Sequence, residues 1–159
     1  MTDARLDAHV HGPKKRPYAH ERLESYDTSD WYLAEASLKD IGVWRRAGGL
    51  PREWTNRSLQ ETAEHVRTAL RSGSRKLSKR ARSVIPQMLE TNVWSLQKHP
   101  YLLPIGFAGR TGTWPRKYLR YRTAVELDDG NMRAIALAVA GTKTIRVYYG
   151  IPRKKGAVR

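Results

Sequence analysis

The spacing of apolar residues changes near residue 100, and this change constrains the fold more than any single motif. Before it, apolar residues recur three or four positions apart, as on one face of a helix. After it, large apolar residues alternate with small or polar ones, which is typical of strands. The spacing predicts helices over 30–47 and 59–71, and a third helical stretch over 75–99.

Two local signals refine the helical part. Ser58 and Glu61 have the spacing of a capping box at the start of the second helix. Pro86 lies inside the third stretch, where it removes one backbone hydrogen bond. We therefore expect a kink or a break near 84–85.

The last third of the chain predicts an antiparallel sheet. Strands are expected at 101–107, 118–127, 132–140 and 143–149. Asp129-Gly130 fits a type I′ hairpin turn, which needs positive φ, and Gly141-Thr142 marks the next turn. We expect an α+β fold in which two to three N-terminal helices pack on one face of a three- to four-stranded antiparallel C-terminal sheet.

A single domain over 28–150 accounts for these elements, with helices over 28–99 and the sheet over 100–150. Residues 1–27 lack apolar periodicity and are expected to form a flexible basic arm. Residues 151–159 are expected to form a basic tail.

The predicted sheet has two unlike faces. One carries large apolar residues and would meet the helices. The other combines a row of alanines, from Ala134 to Ala140, with arginines and tyrosines on the neighbouring strands. These are Tyr118, Arg120, Arg122, Arg146 and Tyr148. Small side chains would leave a floor for a phosphate backbone or an unstacked base; alternatively, the alanine row packs against a helix such as 30–47.

The chain of 159 residues carries a formal charge of +15, and all of the excess lies after residue 56. Such a basic surface points to a polyanionic partner, foremost nucleic acid. At helical spacing, Arg75, Lys79 and Arg82 share one face. The residues expected to bind nucleic acid are Arg75, Lys76, Lys79, Arg80, Arg82, Arg110, Arg116, Lys117, Arg120, Arg122, Arg146 and Tyr148.

No motif specifies a catalytic site, a metal or a cofactor, and we expect neither metal nor cofactor. The chain has no cysteine, which excludes thiol catalysis. Asp7, His9 and His11 have metal-ligand spacing, but no apolar strand precedes them. Metal-independent RNA cleavage stays open, because it needs only an acid, a base and cations near the phosphate. Candidates for those roles are His99, Arg110, Lys117, Arg120, Arg122, Arg146 and Tyr148.

The segments YLRYRTAVELDDGNMRAIALAV and TIRVYYG follow two or three helices and form the predicted meander. Over 59–149 this arrangement resembles the barnase/EndoU/colicin/RelE class of ribonuclease toxins at the level of topology. In that class, basic and aromatic residues on the sheet contact RNA and cleave it without metal. The resemblance therefore implies an RNA-directed activity on the Arg/Tyr face.

These observations predict a basic nucleic-acid-binding protein that uses a basic helix and an Arg/Tyr sheet face, with RNA favoured over DNA. Two alternatives stay open: a metal-independent endoribonuclease using the same face, and a module that binds an acidic protein partner. The sequence contains no apolar run of membrane-spanning length and no apolar N-terminal segment typical of a secretory signal. We therefore expect no membrane partner and a cytoplasmic location.

Overall fold

A computed structural model describes residues 28–108 and 123–153, which form a sheet with helices packed on one face. The strands are β1 (Ser29–Ser37), β2 (Ile41–Gly42), β3 (Ile105–Ala108), β4 (Val125–Asp129) and β5 (Thr144–Pro152). The helices are α1 (Arg52–Thr55), α2 (Leu59–Ser72), α3 (Lys79–Glu90) and α4 (Asn131–Val139). Short 3-10 helices occur at Leu38–Asp40, Ala47–Gly49, Val93–Gln97 and Pro100–Leu102.

The sheet is mixed, and within the described residues its strand order is β1-β5-β3-β4-β2. The pairs β1·β5 and β3·β4 are antiparallel, whereas β3·β5 and β2·β4 are parallel. The protein is α+β, but the predicted arrangement of N-terminal helices on an antiparallel C-terminal sheet is wrong. Strands come first in the described chain, and the helices α1 to α3 lie between β2 and β3.

The predicted helix over 30–47 is wrong, because this segment begins with the edge strand β1. Its spacing suited a helix, yet every residue of Ser29–Ser37 pairs with β5, more than a hundred positions later in the chain. Alternation along β1 places Ala34 and Ala36 against the helices. Strand preference depends on such packing more than on the isolated residue, so the distant partner decided the outcome.

The predicted strand over 132–140 is also wrong, because it is the helix α4. Residues Ala134 to Ala138 are at most 2% exposed, so apolar side chains face the core on every side of the helix. A helix of that kind shows no polar stripe, and its sequence does not differ from that of a buried strand. Gly130 has the expected positive φ, 81°, but it begins a helix rather than a hairpin.

The second and third predicted helices exist, with altered bounds. Ser58 caps α2 as expected, since its hydroxyl accepts a hydrogen bond from the Glu61 N–H. The third stretch begins only at Lys79, where Ser78 is the N-cap, and it continues through Pro86 to Glu90 without the expected break. The strands predicted at 101–107 and 143–149 correspond to β3 and β5, and the described part of 118–127 contains the first residues of β4.

Apolar residues cover part of the second face of the sheet. The buried members of this cluster are Leu103, Ile105, Phe107 and Tyr148. Trp31 packs edge-on against Phe107, with ring centroids 5.2 Å apart. Gly150 makes room for Trp31, because a Cβ at Gly150 would lie 2.8 Å from the indole. The expected alanine-lined floor does not exist, since the alanines belong to α4 and the neighbours of β5 are β1 and β3.

Within 28–108 and 123–153, none of the helices combines the length and the apolar composition that spanning a bilayer requires. The predicted arm over 1–27 and most of the tail over 151–159 lie outside the described residues.

The carboxyl end of α4 is bound by Arg67 of α2, and this contact yields a stability prediction. The guanidinium Nη2 donates to the carbonyls of Ala138 at 3.0 Å and Val139 at 3.2 Å, and Nε donates to Val139 at 3.4 Å. Removing it leaves the helix-end carbonyls without this cation. We expect Arg67→Leu to lower the free energy of unfolding by about 2 kcal/mol in urea titrations. Arg71→Leu, at an exposed position one turn later, is the control, and an equal loss in both variants would contradict the assigned role.

Candidate functional site

An open cleft of about 550 Å³ lies where β4 ends and α4 begins. Its walls come from the loop after β2, from α3 and from the β4–α4 junction. Four arginines line it: Arg45, Arg46, Arg80 and Arg133. Trp44, Val84 and Met88 supply an apolar part of the wall. The cleft thus combines several guanidinium groups with an aromatic and aliphatic surface.

The N-terminus of α4 opens on this cleft. Gly130 is its N-cap, and glycine has no side chain that could accept from the first-turn N–H groups. A larger residue would be strained there, because φ is 81° and a Cβ would lie 2.9 Å from Pro104 Cα. Backbone N–H groups and the helix dipole at such an end favour a negatively charged ligand.

The loop that carries Arg45 and Arg46 is fastened to the helices around it. Asn131, the first residue of α4, accepts a hydrogen bond from the Trp44 N–H at 2.8 Å. Thr55 Oγ1 in α1 accepts from the Arg46 N–H, also at 2.8 Å. These bonds hold the loop beside the first turn of α4.

Close packing at Gly48 fixes the same loop from the other side. Gly48 lies against Met132, so close that a Cβ at this position would fall 2.3 Å from the sulfur. Ser78 Oγ at the N-cap of α3 donates to the Gly48 carbonyl at 2.6 Å. The backbone of the loop is therefore held by α1, by α4 and by the N-cap residue of α3.

Two acidic residues also line the cleft, and both are placed away from solvent or within a turn. Asp128 is 2% exposed. Asp129 Oδ1 accepts from the Gly130 N–H at 2.9 Å. The four arginines outnumber these two carboxylates, and the charged residues of the cleft that are exposed are Arg46 and Arg80.

The predicted helix face of Arg75, Lys79 and Arg82 is wrong for Arg75, which lies in the turn before α3, and the remaining basic face adjoins the cleft in part. Arg80 lines the cleft, and Lys79 is exposed on the same first turn of α3. Arg82 instead donates to the carbonyls of Ser74 and Leu77, at 3.3 and 2.9 Å, and so holds the loop before α3. Lys76 approaches Glu53 at 3.9 Å on the surface.

Several other candidates from the sequence lie elsewhere. Tyr148 is only 5% exposed in the apolar cluster of the second face. Arg146 is exposed, but its guanidinium donates to the Gln97 carbonyl, and its backbone N–H donates to Gln97 Oε1 at 2.6 Å. His99 is exposed as the N-cap of the 3-10 helix Pro100–Leu102. None of these three residues lines the cleft.

The remaining sequence candidates lie outside the described ranges. They are Arg110, Arg116, Lys117, Arg120 and Arg122. Asp7, His9 and His11 lie outside as well. Among the described residues, no group of three or more His, Asp or Glu is arranged to hold a metal ion.

Sequence reasoning missed Arg45, Arg46 and Arg133 as site residues. The signal that could have found Arg133 is the segment Asp129-Gly130, in which a glycine with positive φ opens a helix. As a hairpin turn, the same segment predicts a strand over the residues that follow it. The contribution of the loop at 45–46 has no local signal, because the structure joins it to α4 across more than eighty residues.

Comparison with known proteins gives no match: no family model, curated protein or solved structure matches the chain. The resemblance to ribonuclease toxins stays a sequence-based prediction.

The backbone at Arg46 gives a test of how the loop is built. Arg46 has φ 59°, and among the described residues it is the only one besides glycines with a positive φ. A Cβ in this left-handed conformation is unfavourable by about 1 kcal/mol, whereas glycine avoids the strain. We expect Arg46→Gly to be more stable than Arg46→Ala by about 1 kcal/mol in urea titrations. Equal stability of the two variants would contradict the left-handed assignment.

Proposed function

We propose that the protein binds nucleic acid and that the cleft at the start of α4 holds a backbone phosphate. The observation that carries the proposal is the convergence of Arg45, Arg46 and Arg80 on the N-terminus of one helix. Guanidinium groups bind phosphate oxygens with two parallel hydrogen bonds, and helix N–H groups add donors at the same place. RNA remains the favoured form of the ligand.

The charge of the whole chain supports a polymeric ligand. A formal charge of +15 exceeds what one phosphate would need; Lys79 and Arg80 are exposed in the first turn of α3, and Arg75 is exposed in the turn before it. A nucleic-acid backbone carries a charge at every nucleotide, so it would occupy the cleft and this helix surface together.

Replacing the cleft arginines tests the proposal. We expect Arg45→Gln, Arg46→Gln and Arg80→Gln together to weaken binding of a labelled RNA on the order of tenfold or more at about 150 mM salt. The slope of log affinity against log salt should also fall by about one for each lost phosphate contact. Fluorescence anisotropy over a salt series measures both quantities.

A control of equal charge separates the cleft from general attraction. Arg52→Gln, Arg71→Gln and Lys98→Gln remove the same charge from exposed positions that do not line the cleft. We expect a smaller loss of affinity from this control triple. If the two triples weaken binding equally, the cleft is not the phosphate site.

A free nucleotide is the second candidate ligand, and the shape and apolar wall of the cleft favour it. The volume of about 550 Å³ falls in the range of small-molecule sites. Trp44, Val84 and Met88 could contact a base while the arginines contact the phosphates.

Thermal unfolding tests this second candidate. A nucleoside triphosphate at about 100 times its Kd would stabilise the folded protein by about 2.7 kcal/mol. We expect the nucleotide to raise the Tm of the wild type and to leave unchanged the Tm of the variant in which the three cleft arginines are replaced by glutamine. Inorganic triphosphate should give a smaller rise in the wild type, because it has no base. Strong binding of RNA without any rise in Tm on adding the nucleotide would exclude a free nucleotide as the ligand.

A further inference from the structure

The β1·β5 ladder carries exposed aromatic and apolar side chains beyond the area covered by the helices. Ala34 and Ala36 of β1 pack against the core, so alternation places Tyr32 on the same face of the sheet. Tyr32 is 53% exposed, and Ile151 on the neighbouring strand is 40% exposed. Tyr149, on the same face, is half-buried.

Tyr32 and Tyr149 are direct partners across the antiparallel ladder. Side chains of such partners have Cβ atoms about 5 Å apart, so the two side chains begin next to each other on this face. The Tyr149 hydroxyl donates to the Ala124 carbonyl at 3.5 Å. Tyr149 is also beside Gly106 in the adjacent strand β3, where no side chain stands in the way. The Tyr149 side chain therefore extends over β3 toward β4, and the Tyr32 side chain is exposed on the edge strand β1.

The acidic residue described on this face of β1 is paired with a basic one. Asp30 lies on the same face by alternation, and Arg153 contacts its carboxylate at 3.4 Å. The Arg153 N–H donates to the Thr28 carbonyl at 2.9 Å, which holds the arginine at the end of the ladder. Glu35 of β1 lies on the opposite face.

We propose that Tyr32 and Tyr149 form a platform on which bases of a single-stranded nucleic acid stack. Tyrosine rings accept any base by its π-face, so stacking gives affinity without sequence selection. The inference rests on the proposed function, because it requires nucleic acid as the ligand. The inference concerns a different surface from the cleft. The platform lies toward the carboxyl end of β5, whereas the cleft lies at the carboxyl end of β4, which runs in the opposite direction.

A protein partner or a second copy fits this surface less well. Stable protein interfaces use about 20–30 residues on each side, whereas the large hydrophobic residues exposed on this face, among the described residues, are Tyr32 and Ile151. Two copies would also bring together chains that each carry a charge of +15. A single-stranded nucleic acid carries negative charge, which the basic chain attracts, and bases, which can stack on the tyrosine rings.

The test compares single-stranded with duplex ligand in matched variants. Labelled oligothymidine and a DNA duplex of equal length are titrated with the full chain at about 150 mM salt. We expect Tyr32→Ala to weaken binding of oligothymidine on the order of tenfold while leaving duplex binding unchanged. Tyr32→Phe should retain the affinity of the wild type, because the ring remains.

Leu33→Ala is the matched control. Leu33 is the next residue of β1, is 57% exposed and lies on the opposite face of the sheet. We expect it to bind both ligands as the wild type does. If Tyr32→Ala binds both ligands as Leu33→Ala does, or if it weakens binding of the duplex and the single strand equally, the platform proposal is wrong. This holds even when replacing the cleft arginines weakens binding. A wild type that binds neither ligand nor RNA overturns the proposed function and the platform with it.

Discussion

The helix α4 is buried on all sides, and this burial organises the elements around it. Its residues from Ala134 to Ala138 are at most 2% exposed. A helix without a polar face must be enclosed, so α2 and α3 both pack against it over one face of the sheet. Alanine at alternate positions keeps the helix narrow, which lets its neighbours approach closely at the packing density of a protein interior.

Enclosing α4 leaves its two ends as the places where backbone polar groups need partners. At the carboxyl end, Arg67 supplies a cation from within the chain. At the amino end, Gly130 provides no capping side chain, and the neighbouring loop and α3 bring Arg45 and Arg80 into the same cleft. In our proposal this end receives its negative charge from a ligand, so one buried helix connects the stability of the fold to its binding site.

The mixed sheet separates the two proposed contacts. Because β4 and β5 are antiparallel, their carboxyl ends lie on opposite sides of the sheet. We assign phosphate binding to the end of β4 and base stacking to the end of β5. Phosphate contacts position a nucleic acid, and contacts to bases decide which form of it is bound. The cleft would serve single and double strands alike, whereas Tyr32 and Tyr149 would favour the single strand.

The positive charge follows from composition, and the capped helix α2 and the strand β5 follow from patterns of residues close together in the chain. Contacts between distant segments make 30–37 a strand and 132–139 a helix, and they bring the arginines of the cleft together. Intrinsic preferences differ by less than about 1 kcal/mol per residue, whereas burying a large apolar side chain contributes about 2 kcal/mol. Where local patterns suited both conformations, pairing with β5 and packing against α2 and α3 therefore determined the result.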